Sequence, residues 1–359
     1  MLRMGIKTET EELKACPVCG AAKNHFLFKN TDRMHGIPGE FGLNQCLNCS
    51  LFYLSPRPTA QVLDIYYPKD YPSHQITDSR SNKKYIHRLR DLIRNTILYE
   101  IYHYKNYEKK LRLHPIILAR IVSYLLFPLW NGARFGIPHA LFPLYVQNGK
   151  ALDIGCGTGH FVLTLEKLGY EAYGIEPSEY AARIGKENFG LNIKTGTLLD
   201  HKFPDNYFHL ITMNHVLEHL YNPVETLKEI KRILHPGGIV LIRTPNMDSY
   251  GYKKFKNNWG PLETPRHLML YSSKSLSTLA EITGLRVKSH LTLTANPSLF
   301  WSLEYQVRQR NGTDTSFGRT GIITSSQKLY INLLGLYEKY LVLLGKPYGE
   351  ELQAVLVKR

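Results

Sequence analysis

The chain has 359 residues, 43% of them hydrophobic, with 27 Gly, 19 Pro and 5 Cys. That composition excludes wholesale disorder and collagen-like repeats, and the length is ample for a buried core. The net charge of +15 is concentrated, since residues 76–150 carry thirteen Lys and Arg against four acids. Such a local excess points to an anionic partner.

No apolar run approaches the roughly eighteen residues of a spanning helix. Glu9, Glu11 and Glu12 stand where a secretory signal needs an apolar stretch. A cytoplasmic protein is expected. Four blocks follow along the chain without internal repeat: 1–55, 56–148, 149–292 and 293–359.

In the first block, Cys16-Pro17-Val18-Cys19 and Cys46-Leu47-Asn48-Cys49 are paired Cys-x-x-Cys motifs with twenty-six residues between them. Four thiolates at this spacing suit a closed, tetrahedral structural Zn²⁺ in a zinc-ribbon-like module. The bland alternative is a set of buried thiols or a redox pair. Zinc would stabilise a segment too short to hold itself by its own core.

The second block is basic and helical. Arg80, Lys83, Lys84, Arg88 and Arg90 open a run to Arg112 interleaved with Tyr85, Tyr99, Tyr102, Tyr104 and Tyr107. An apolar stretch, 115–130, follows, interrupted by Arg120 and ended by Pro128. It is too short to cross a bilayer. A helical cap over the active site is the first reading. Peripheral membrane contact through 80–130 is the second. RNA binding is disfavoured, because no recognised RNA-binding motif accompanies the charge.

The third block alternates strands with helices, which predicts a Rossmann-like, doubly wound, mostly parallel α/β sheet. Strands are expected at Lys150–Ile154, Tyr170–Ile175, Leu191–Thr195, Tyr207–Met213 and Ile239–Arg243. Helices are expected at Phe161–Leu168, Glu179–Asn188 and Val224–Leu234, the last closed by a turn at His235-Pro236-Gly237-Gly238. Helix Ser275–Thr283 and strand Arg286–Leu293 complete it. In the fourth block, an apolar helix at Leu329–Leu344 is expected to bury itself against the cap. The closing strand Leu352–Val357 should pair with Arg286–Leu293.

Asp153-Ile154-Gly155-Cys156-Gly157-Thr158-Gly159 sits where the first core strand turns into a helix, the position at which open α/β sheets bind nucleotide-like ligands. Glycines there let backbone approach a ligand closely. Their spacing is Gly-x-Gly-x-Gly, with His160 where a dinucleotide fingerprint carries its third glycine. Glu176 ends the second strand, where a carboxylate can accept both ribose hydroxyls of an adenosine. Cys156 is read as a small packing residue.

At these residues the chain resembles the class I S-adenosylmethionine-dependent methyltransferases, over about residues 149–292 plus the last strand. The resemblance implies that Asp153 lies beside the methionine end of the cofactor, with Gly155, Gly157 and Gly159 beneath it. It implies that Glu176 holds the ribose, Thr197 and Leu198 the adenine, and Asn214 with His215 the wall near the sulfonium. Val216-Leu217-Glu218-His219, Thr244-Pro245-Asn246 and Pro265-Arg266-His267 look like a bacterial branch associated with polysaccharide and secondary-metabolite pathways.

An alcohol acceptor needs its proton removed, by a base or by a metal that lowers its pKa. His215, Glu218 and His219 are spaced to share one helical face beyond strand four. His267 follows strand five at the same rim. The set is similar to the Glu-x-x-Glu-His plus distal His metal site of some O-methyltransferases, with His215 in place of the first Glu. A second divalent metal is therefore one expectation, and His267 or His219 as a metal-free base is the favoured one. The function expected is S-adenosylmethionine-dependent O-methylation of a sugar or glycan precursor. The alternatives are RNA 2′-O-methylation and a non-catalytic scaffold that binds nucleotide.

Overall fold

The structure is a computed structural model that describes residues 9–67, 95–104, 107, 142–312 and 322–359. The apolar run 115–130 and most of the basic run 80–112 lie outside the described residues, and the cap and membrane readings of that block lie there with them.

The N-terminal region folds as short strands: β1 (Thr10–Glu11), β2 (Asn24–Asn30), β3 (Phe41–Cys46), β4 (Phe52–Leu54) and β5 (Arg57–Pro58). Then come β6 (Lys150–Ile154), α1 (His160–Leu168), β7 (Glu171–Glu176), α2 (Glu179–Phe189), β8 (Ile193–Thr195) and β9 (Phe208–Asn214). They are followed by α3 (Pro223–Ile233), β10 (Leu234–Pro245), α4 (Tyr250–Phe255), β11 (Met269–Leu270), α5 (Ser273–Ile282) and β12 (Leu285–Leu293). The chain closes with α6 (Asn296–Arg310), α7 (Ser325–Leu343) and β13 (Glu351–Lys358).

Seven strands form the central sheet in the order β12-β13-β10-β9-β6-β7-β8. β10, β9, β6, β7 and β8 run parallel, and β13 inserts antiparallel between β10 and β12. This is the doubly wound α/β fold that the strand–helix alternation predicts. The pairing of the last strand with Leu285–Leu293 is also as expected. β6 is buried along nearly its whole length, as a central parallel strand covered on both faces must be. Strand order reverses on either side of β6, so the crevice opens at the carboxyl ends of β6 and β9.

Two expectations change. The turn expected at His235–Gly238 is absorbed into β10, whose register against β9 shifts between Leu234 and Ile239. Gly238 permits this, because a Cβ there would stand 2.9 Å from the Phe208 carbonyl oxygen. The second change is the tail helix. α7 buries Ile331, Gly335 and Glu338 but leaves a row of Leu and Tyr exposed, so it is not apolar core all round.

The N-terminal strands are not a free-standing bead. β11 of the catalytic region pairs with β4, giving a four-stranded sheet β11-β4-β3-β2. Cys16, Cys46, Cys49, Leu51 and Tyr53 pack into the same buried cluster as Leu152, Ile211, Met213 and Leu217. Each large apolar side chain buried there contributes about 1.5–3 kcal/mol, so the two regions share one core rather than two.

Candidate active site

The glycine loop is built on backbone conformation. Gly155, Gly157 and Gly159 have φ of +68°, +54° and +83°, a region that L side chains rarely adopt. A Cβ on Gly155 would collide with Val216, so the loop lies directly against the segment that follows β9. Gly174 stands opposite Cys156, whose Sγ would be 2.6 Å from a Cβ there. Cys156 is buried, as a small packing residue should be.

Glu176 ties this loop to the end of β7. Its two carboxylate oxygens accept from the backbone N–H of Gly157 at 2.8 Å and of Ser178 at 2.9 Å. A carboxylate at this strand end is an acceptor-only group, the chemistry a pair of ribose hydroxyls requires. Asp153 is nearly fully buried and accepts from the Thr212 hydroxyl at 2.6 Å. Burial pushes its carboxyl up to about 7, with the Thr212 hydrogen bond opposing the rise and the Glu176 charge adding to it. A cation brought beside Asp153 would reverse that rise. After β8, the exposed Thr197 spends its hydroxyl and backbone N–H on Asp200, each at 2.7 Å, and Leu198 is buried in the core.

Strand order, a left-handed glycine loop after β6 and an acidic residue ending β7 coincide with a sequence match. A family model described as a methyltransferase domain matches residues 134–290. This region is a class I S-adenosylmethionine-dependent methyltransferase domain. The chain is 29% identical over 174 residues to demethylmenaquinone methyltransferase of Staphylococcus aureus, a match covering 46% of this chain. The chain spans 62% of the length of that relative. Among solved structures it is similar to a SAM-dependent methyltransferase from Archaeoglobus fulgidus, at 19% identity and a TM-score of 0.39, covering 72% of this chain and 100% of that one. A TehB-like SAM-dependent methyltransferase from Corynebacterium glutamicum shows 18% identity and a TM-score of 0.37, covering 72% and 98%.

At the carboxyl rim of the methyltransferase domain, four expected residues come together in an arrangement other than one helical face. β9 ends at Asn214, His215 takes a left-handed φ of +54°, and Leu217–His219 is a single 3₁₀ turn. The α-helical spacing argument fails because that reversal breaks the helix before it starts. Glu218 is fully buried at the centre, its Oε2 accepting from Thr244 Oγ1 at 2.9 Å. Its Oε1 accepts no hydrogen bond among the described residues. His215 Nδ1 approaches Oε1 to 3.3 Å from one side while its Nε2 faces Glu351 at 3.5 Å. His267 Nε2 approaches Oε1 to 4.0 Å from the other side.

The donor atoms of Glu218, His219 and His267 all lie within 4.8 Å of one another, and His215 is not in that group. His267 Nδ1 donates to the Pro261 carbonyl at 2.7 Å, and His219 Nδ1 donates to the Arg266 carbonyl at 3.0 Å. A carbonyl can only accept, so in the neutral form of each ring the proton sits on Nδ1 and the lone pair falls to Nε2. Burial, then the neighbouring His267 ring, lowers His219 to about 4. Desolvation opposes ionisation of Glu218, but the close approach of His215 and the neighbouring imidazoles outweigh it and hold the carboxyl at about 2.

Sequence reasoning missed several residues of this site. Tyr67 places its hydroxyl 2.8 Å from His219 Nδ1. Glu263, at a strained φ of +36°, sets Oε2 3.6 Å from His267 Nε2. The i, i+4 spacing of Glu263 and His267 was a usable signal; nothing local joins Tyr67 to His219. Thr244-Pro245-Asn246 divides its labour. Thr244 faces Glu218, while Asn246 Nδ2 donates to the carbonyls of Pro347 and Gly349 and staples the loop before β13.

The four cysteines of the N-terminal region converge. Cys16 Sγ lies 3.6 Å from Cys49 Sγ, Cys19 Sγ lies 3.5 Å from Cys46 Sγ, and all four sulfurs fall within 4.8 Å of one another. Zn–S bonds of about 2.3 Å put tetrahedral sulfurs about 3.8 Å apart, so the cluster fits the ion. The two pairs are built alike. Gly20 N–H bonds the Cys16 carbonyl and Ser50 N–H the Cys46 carbonyl, each at 3.0 Å, with Gly20 and Ser50 both left-handed.

Proposed function

We propose that this protein methylates a hydroxyl-bearing small molecule, with a sugar or glycan precursor as the first class to test. S-adenosylmethionine, when bound, supplies a methyl group already activated on a sulfonium. The residues present fit it: a left-handed glycine loop, a buried Asp153 suited to a cation, and the acceptor carboxylate of Glu176 at the end of β7. The chain's task is then to hold the acceptor in line, exclude water and take up its proton.

The observation that carries this reading is the commitment of Nδ1–H on His219 and His267 to backbone carbonyls. It leaves Nε2 of His267 facing the buried Glu218 at 4.0 Å, beside His219 on a segment whose Val216 packs against the glycine loop. His267 acts as base at Nε2, and Glu263 and Glu218 stabilise the imidazolium that forms. His219 and Tyr67 shape the pocket wall. The Cys16, Cys19, Cys46 and Cys49 cluster holds a structural zinc and keeps the sheet edge that carries β11 in place.

Two observations favour variants of this reading. Glu218 Oε1, which accepts no hydrogen bond among the described residues, would suit a divalent ion held by Glu218, His219 and His267, lowering the pKa of a bound hydroxyl. The demethylmenaquinone methyltransferase likeness favours a ring carbon beside a hydroxyl, which the same proton removal would make nucleophilic.

The test is methyl transfer from labelled S-adenosylmethionine to nucleotide-linked sugars and, in parallel, to hydroquinols. His267→Ala should lower turnover about 10²–10⁴-fold with cofactor affinity unchanged. A chelator that abolishes activity, restored by a divalent ion, assigns the metal variant. Wild-type turnover in His267→Ala would refute the base and the metal alike.

A further inference from the structure

α7 is oriented opposite to a core helix. Leu329, Tyr330, Leu333, Leu336, Tyr337, Tyr340, Leu343 and Leu344 are all exposed, from 41% for Tyr330 to 85% for Leu343. At about 100° per residue these positions fall within an arc of about 140° on one side of the helix, centred opposite Ile331, Gly335 and Glu338. The stripe is continuous over the whole length of α7, unlike the scattered exposed Leu and Ile normal on a protein surface.

The inward side is locked, so the helix cannot roll to hide the stripe. Ile331 and Leu334 pack with Leu299 and Leu303 of α6. Gly335 lies so close to Asn296 that a Cβ would be 2.8 Å from its Oδ1. Glu338 is fully buried and accepts the Glu350 backbone N–H at 3.0 Å. The inward side and the apolar outward face are thus both fixed by contacts.

The charges around the stripe have one sign. Residues 325–347 contain Lys328, Lys339 and Lys346, all exposed, and a single acid, the buried Glu338. Lys328 and Lys339 fall on one flank of the apolar arc, where their stems extend along the stripe and their ammonium groups reach beyond it. Tyr330, Tyr337 and Tyr340 supply the amphipathic rings that favour the headgroup level of a bilayer. No described helix is long and apolar enough to cross a membrane.

We propose that α7 is an interfacial helix that docks the protein on an anionic lipid surface, its Leu stripe in the acyl boundary and its lysines at the headgroups. A second copy of the chain would need an apolar face complementary in charge as well as in shape. Two copies of this face would bring six lysines together without an exposed acid. An anionic bilayer satisfies both features at once.

The experiment is co-sedimentation of the full chain with vesicles of phosphatidylcholine alone and of phosphatidylcholine mixed with phosphatidylglycerol. Binding should require the anionic lipid and weaken as salt rises. Leu333→Glu with Leu336→Glu and Leu343→Glu should reduce partitioning by about tenfold or more while thermal unfolding stays unchanged. Leu343→Glu alone, at the most exposed position, gives a milder loss with no risk to the fold. Lys328→Gln and Lys339→Gln should each cost about fivefold. Three results would overturn the proposal: no sedimentation with the anionic vesicles, equal sedimentation of the triple variant, or a lipid-free dimer that Leu336→Glu dissociates.

Discussion

Asp32 and Arg266 stand 234 residues apart in the chain and form an ion pair of 2.9 Å with both side chains fully buried. Arg266 also donates to the Tyr66 carbonyl and to Glu263 Oε1, each at 3.0 Å. Asp32 accepts in addition from the backbone N–H groups of Met34, His35 and Ile37. The β2–β3 loop of the cysteine region is thereby tied to the two residues that flank His267. The Arg266 carbonyl holds His219, and Glu263 faces His267.

Removing one partner leaves the other charge buried and alone, which costs about 3–5 kcal/mol. Asp32→Ala should lower the urea midpoint accordingly. Asp32→Leu combined with Arg266→Met should recover much of the stability yet still depress turnover, because Glu263 loses its tether. An unchanged urea midpoint in Asp32→Ala would show that the pair is not formed.

Zinc content is the second expectation. Freshly purified, unchelated protein should hold about one tightly bound zinc per chain, and Cys46→Ser should lose it. Because Cys46 and Cys49 share a core with Leu152 and Met213, the variant should unfold in one broad or lowered transition. A separate early melting of residues 9–67 would instead indicate two independent cores.

Glu176→Ala should weaken S-adenosylmethionine binding by more than the loss of two ribose hydrogen bonds, each about 1.5–3 kcal/mol before water compensates. The same carboxylate holds the backbone N–H of Gly157, so the glycine loop loosens as well. Calorimetry with wild-type affinity in this variant would remove both roles.

Stability should fall on the alkaline side through Glu338 and Glu350. Both are fully buried, and burial raises Glu350 to about 7 and Glu338 to about 8, with the Glu350 charge adding to the rise of Glu338 and the Glu351 charge to that of Glu350. A carboxyl whose folded pKa lies above its unfolded value favours folding fully below the unfolded value. That advantage is lost as pH rises from the ordinary 4.5 through about 8. Glu338→Gln keeps an acceptor for the Glu350 N–H and should flatten the fall in melting temperature over this window. A wild-type profile already flat there would contradict the assignment.

What the sequence alone determined was the sheet and its glycine loop. Period, turn residues and the spacing of Gly155, Gly157, Gly159 and Glu176 are local, and local propensity agrees with the fold over residues 150–293 except at His215–His219 and His235–Gly238. The paired cysteines were legible for the same reason, since each Cys-x-x-Cys turn is a short-range unit. His219 and His267 were reachable because strand ends in a parallel sheet gather at one rim.

The tertiary structure alone decided how these pieces address one another. It put Tyr67 on His219, Glu263 on His267 and Asp32 under Arg266, pairings across which no sequence periodicity runs. It broke the expected helix at His215, because a single left-handed residue there turns the chain back over the glycine loop. It also faced α7 outward: the burial of Glu338 against the Glu350 backbone, a hydrogen bond invisible to any pattern of apolar residues, fixed which side of that helix meets the solvent.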